Sequence, residues 1–84
     1  MKLVDIKTFI PELQVWVSTI ARNEPLWIGC YAETMVFKGN EHGITDWHEL
    51  YFENHGDTTD RATLEKEHNR IVNEIKSGAI KIDA

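Results

Sequence analysis

The sequence predicts an α+β fold of two layers: a small antiparallel sheet of three to four strands with two helices packed on one face. Three observations predict it. Apolar residues at Ile6, Phe9, Ile10, Leu13, Trp16, Val17 and Ile20 follow the three-then-four spacing of one helix face. Residues 26–32 and 34–38 are aromatic and β-branched, the composition of strands. A second helical spacing, through Leu64, His68, Ile71, Val72 and Ile75, runs up to Gly78. With 84 residues the chain can build one small core, so a single domain over residues 1–84 is expected.

The elements follow in chain order. Pro11 cannot lie inside a helix without losing a hydrogen bond, so the first helix is expected to begin near Phe9 with Thr8 as cap and to end at Asn23, before Pro25. The two apolar runs then read as an antiparallel pair of strands, and residues 39–43, with two glycines, read as a loop. Alternation over residues 44–52 favours a third strand, although Trp47, Leu50 and Tyr51 also fit a helical turn. Residues 53–57 read as a turn. Thr58, Thr59 or Asp60 then caps the second helix, and Gly78 ends it. Ile80 and Ile82 alternate in a short last strand. Both helices would cover one sheet face and leave the other partly exposed for a partner.

Charge narrows the function. The formal net charge is -5, which argues against a nucleic-acid or anionic-membrane binder, because phosphate contacts need a surplus of Lys and Arg. Six acids (Glu41, Asp46, Glu49, Glu53, Asp57 and Asp60) lie between Gly39 and Asp60 without a single Lys or Arg, whereas eight acids face nine bases elsewhere. Such a stretch is most often a solvated face. Here it also holds Trp47, Tyr51 and Phe52, and solvated linkers are poor in aromatics. Carboxylates beside a flat ring are what a surface needs to imitate nucleic acid: the acids stand in for phosphates and the ring for a base. Glu41, Asp46, Trp47, Glu49, Tyr51, Glu53 and Asp57 are therefore the candidate partner-binding residues. Trp16 and Trp27 follow the periodicity of their elements and read as core.

Other chemistry finds little support. His42, His48 and His55 are spaced six and seven apart, which matches no compact zinc pattern. Cys30 is the single cysteine and sits in an apolar run, so it reads as a small buried hydrophobe. His68 lies on the apolar helix face and reads as a hydrogen-bonded, semi-buried histidine. There is no Gly-rich phosphate loop and no nucleophile motif, so neither an enzyme nor a cofactor is expected. The absence of an apolar run of 18 residues, and of a signal-peptide pattern in residues 1–13, leads to the expectation of a cytoplasmic protein.

Leu26-Trp27-Ile28-Gly29, Trp47 about twenty residues on, and Ile71-x-x-x-Ile75-Lys76-Ser77-Gly78 before a short apolar segment together resemble the immunity proteins of tRNA-cleaving colicins. That family is of similar length and begins with a helix. The resemblance implies an inhibitor that fills the RNA-binding cleft of a toxin as an acidic mimic, with Asp46, Trp47 and Glu49 in contact and Tyr51 and Glu53 beside them. Residues 39–43 and the histidine-rich stretch have no counterpart in the family. The expected function is thus a small acidic inhibitor of a basic nuclease or nucleic-acid-binding complex. A phage-encoded anti-defence protein of the anti-CRISPR kind would present the same surface. In a different class, a structural or adaptor subunit could form a homodimer through its exposed sheet face.

Overall fold

In a computed structural model that describes residues 2–83, Lys2–Ile10 form strand β1, and the chain turns back at residues 11–14 into β2, Val15–Arg22. The first expected helix is therefore a hairpin. Its apolar spacing also fits two strands: Val4, Ile6, Thr8 and Ile10 line one face of β1, and Val15, Val17, Thr19 and Ala21 continue that face on β2. Most of these side chains branch at Cβ, which favours extended backbone over helix. Pro11 does not interrupt a helix but shapes the turn. The Leu13 N–H donates to the Ile10 carbonyl at 3.2 Å, which puts Pro11 at the second turn position, where its fixed φ fits. Gln14, with φ 55°, brings the chain into β2.

The strand expected over residues 26–32 is also absent. Residues 23–31 form a loop whose only ladder contact is an isolated bridge between Trp27 and Cys30. The Cys30 N–H donates to the Trp27 carbonyl at 2.9 Å, and Gly29 has φ 76°. That is a turn with glycine at the position requiring positive φ, and it reverses the chain inside the apolar run.

Beyond it, β3 (Ala32–Asn40) contains the expected strand at residues 34–38, and β4 (Gly43–Asn54) contains the one at residues 44–52. The expected loop contracts to two residues, Glu41 and His42, because Asn40 already pairs with Gly43. The four strands form one antiparallel meander in the order β1-β2-β3-β4.

Helix α1, Arg61–Ser77, is the one helix among the described residues. Asp60 caps it, accepting from the Thr63 N–H at 2.9 Å and the Thr63 hydroxyl at 2.7 Å. Gly78, at φ 84°, donates its N–H to the Ile75 carbonyl and ends it. The last strand expected from Ile80 and Ile82 does not form. Both side chains pack instead on the core, and the Ile80 N–H bonds the Glu74 carbonyl at 3.0 Å.

The predicted apolar face of α1 is buried against β1 and β2. Ile71, Val72 and Ile75 join Ile10, Val15, Val17 and Val36, while Leu64 joins Val4, Ala21 and Ala32. Between these two clusters runs a polar row. His68 Nε2 lies 2.8 Å from the Thr8 hydroxyl and Nδ1 lies 2.7 Å from that of Thr19. Thr19 meets Thr34 at 2.6 Å, and Thr34 meets His55 Nε2 at 2.8 Å. His68 is thus hydrogen-bonded as expected, and more deeply buried than expected, at 1% exposure.

Candidate functional site

One helix covers one sheet face, so the side chains pointing the other way are left without a second layer. Strand alternation directs Phe9, Trp16, Ile20, Met35, Phe37 and Phe52 to this uncovered face. They do not lie singly. Phe9 and Trp16 pack at 5.2 Å between ring centroids, Phe37 and Trp47 at 5.2 Å edge to face, and Trp27 and Phe52 at 5.8 Å. Aromatic pairs of this geometry stabilise one another beyond the area they bury.

Two tryptophans expected in the core belong here instead. Trp16 is half-buried and donates its indole N–H to the Asn40 carbonyl at 2.8 Å. Trp27 is 48% exposed because its loop folds over the uncovered face. Cys30, in the same loop, is fully buried as expected, and its thiol donates to the Ala32 carbonyl. Burial, with Glu33 beside it, pushes that thiol up from its usual pKa, which keeps it protonated and a poor nucleophile.

Trp47 reaches the face through a large bulge. Val36 pairs with Tyr51 and Lys38 with Asp46, so residues 47–50 of β4 stand opposite Phe37 alone. Asp46 shapes the bulge by accepting the His48 N–H at 3.0 Å. The bulge leaves Leu50 packed on the core, and it holds Trp47 69% exposed between Asp46 and Glu49. It also breaks the pairing edge of the sheet, which guards against strand addition.

The seven candidate residues divide into three groups. Glu41, Asp46, Trp47 and Glu49 gather at the hairpin end of β3 and β4, all exposed. Tyr51 and Glu53 turn to the helix side. The Tyr51 hydroxyl donates to Glu53 Oε1 at 2.7 Å, and burial together with this carboxylate pushes its pKa up to about 12. Glu53 Oε2 accepts from Arg70, whose guanidinium also bonds Glu67 at 2.9 Å and Glu74 at 3.0 Å. Asp57 lies beyond the far end of β4, in a recess with Leu3, Arg22 and Tyr31.

Glu53, His55 and Glu67 bring three potential metal-ligating atoms within 4.8 Å of one another. Arg70 already supplies the cation for both carboxylates, so this cluster is an ion-pair network. Of the other histidines, His42 is in the exposed turn and His48 in the bulge.

A groove of about 240 Å³ crosses the uncovered face. It is lined by Ile20, Met35, Phe37 and Trp47, together with Lys2, Lys7 and Glu33. Lys7 and Lys2 bind Asp5 at 2.5 and 3.2 Å, and the Lys7 ammonium above all holds that carboxyl below its usual pKa. Glu33 is only 7% exposed, and its Oε1 accepts the Trp27 indole N–H at 3.2 Å. It was not among the candidates from sequence. A lone acid beside two apolar runs carries no signal until the register shows which face it occupies.

Among the described residues, no helix is long and apolar enough to cross a membrane. Compared with known families, curated proteins and solved structures, the chain has no significant match to any.

Proposed function

We propose that this chain is a small non-catalytic binding protein that docks on a basic partner through its uncovered sheet face and the acidic bulge at the end of that face. The reading is that of an inhibitor covering the nucleic-acid site of a nuclease or a nucleic-acid-binding complex. Toxin immunity and phage counter-defence make the same physical demand on such a surface. One observation carries the proposal: Trp47 stands 69% exposed between two carboxylates, packed on Phe37 at the end of the sheet face that the helix does not cover. An exposed large apolar patch with a charged rim marks an interaction surface. The rim acids steer a basic partner into encounter, and the aromatic centre supplies most of the binding energy.

Affinity capture from the source cells tests this at low and high salt, with the wild type beside the D46K/E49K double variant. A basic nucleic-acid-binding protein should be retained by the wild type, released by added nucleic acid, and lost with the variant or at high salt. Equal retention by the variant would overturn the acidic reading. Salt-independent self-association in sedimentation, lost in Trp47→Ala, would replace it with the second reading, a homodimer through the same apolar face.

A further inference from the structure

We propose that the groove on the uncovered face receives an arginine side chain of the basic partner, with Glu33 as its counter-ion and the rings of Phe37 and Trp47 as its walls. This deepens the function proposed above and rests on it. Glu33 is 7% exposed and lines the groove, yet no cation among the described residues reaches its carboxylate within 4 Å. The two lysines at the groove are turned to Asp5 instead. Trp27 satisfies Oε1, leaving Oε2 without a hydrogen bond among the described residues. Oε2 is not closed off from solvent, so a cation brought by a partner can reach it and pair with it.

The walls favour guanidinium over ammonium. Phe37 and Trp47 meet edge to face at 5.2 Å, with Met35 and Ile20 beside them, so the path to Glu33 is apolar and aromatic. A guanidinium is planar and weakly hydrated, and it binds a carboxylate with two parallel N–H donors. An ammonium would have to give up a tighter hydration shell to reach the same carboxylate.

The test needs no knowledge of the partner. N-acetyl-arginine N-methylamide is titrated into the 15N-labelled protein while the indole N–H signals of Trp27 and Trp47 are followed. The citrulline analogue, equal in shape and uncharged, serves as control. Saturable shifts at both indoles are expected with arginine. Affinity should be weaker by about tenfold or more with citrulline, or with E33Q, because a charge-assisted bond is lost. Equal shifts with citrulline, or no shifts at all, would overturn the proposal, and the wild-type comparison decides the matter even where E33Q folds poorly. Failure here leaves the D46K/E49K capture result standing, whereas loss of the acidic reading would appear in that capture alone.

Discussion

His68 Nδ1 lies 2.7 Å from the Thr19 hydroxyl, on the seam between the two apolar clusters under α1. From that contact a hydrogen-bonded row extends in both directions, to Thr8 on one side and through Thr34 to His55 on the other. Each hydroxyl and each neutral imidazole has one proton to donate, so fixing the proton at one end of the row fixes the direction of every bond in it. Glu53 decides which. Its Oε2 lies 3.8 Å from His55 Nδ1, and an N–H facing that carboxylate is favourable where a lone pair would be repelled. The protons therefore run from Thr8 to His68, Thr19, Thr34 and His55.

It follows that both buried histidines carry their proton on Nδ1. Nitrogen-15 chemical shifts of the two imidazoles distinguish the tautomers directly. Both rings should show a protonated Nδ1 and an unprotonated Nε2 at neutral pH. An Nε2-protonated His55 would reverse the direction argued above.

Burial also holds both imidazoles below the ordinary value of 6.5, with Glu53 partly opposing the shift at His55. Between the lowered folded value and 6.5 the unfolded chain binds more protons, so stability rises with pH across that window. The contribution is complete above 6.5 and is lost as the pH falls towards the folded values. Urea midpoints should decline from about pH 7.5 to about pH 5, each unit of lowering being worth about 1.4 kcal/mol. In His68→Gln the decline should be shallower. Asp5 and Asp60, held below their usual range, remain ionised through this window and do not confound it.

Thr19→Val removes the hydroxyl at the middle of the row while keeping its shape. Thr34 and His68 each lose a partner in a site closed to water, which should cost about 1–3 kcal/mol by chemical denaturation. Ser18, its neighbour, points to the uncovered face, and Ser18→Ala should change stability by about 0.5 kcal/mol or less.

At Gly39 a Cβ would stand 2.4 Å from the Gly43 carbonyl oxygen and 2.5 Å from Trp16 Cδ1. Gly39→Ala should therefore destabilise the chain by about 1–3 kcal/mol and displace the indole of Trp16. Denaturation with tryptophan fluorescence as the probe reads both effects. An unchanged midpoint and spectrum would show that the hairpin relaxes freely.

Phe37 and Trp47 touch, yet their truncation should differ in kind. Phe37 is 7% exposed, so Phe37→Ala should cost about 3–5 kcal/mol of stability. Trp47 is 69% exposed, so Trp47→Ala should cost about 1 kcal/mol or less. Its effect should fall on partner binding in the capture assay, where a loss of tenfold or more, at about 1.4 kcal/mol per decade, is expected of an interface tryptophan.

Much of the second half of the fold is legible in the sequence. The apolar face of α1, its cap at Asp60 and its end at Gly78 are local signals, β-branched and aromatic composition marks β3, and alternation marks β4. The concentration of acids and aromatics in residues 39–60 is likewise a property of composition alone. In the first half, the apolar residues between Ile6 and Ile20 satisfy a helix and a two-stranded hairpin equally well by position. The decision for the hairpin comes from β3, which gives β2 a second ladder on its other side, and from α1, which buries the Val15, Val17 and Thr19 face. Where Trp27 and Trp47 point, that Glu33 lies in a groove beside Trp47, and that Tyr51 and Glu53 turn away from Asp46 depend on register, on the Gly29 turn and on a four-residue bulge. A shift of one residue in a strand exchanges its faces. Sequence therefore determined the chemistry this protein carries, and only the tertiary pairing of distant strands decided which of that chemistry shares a surface.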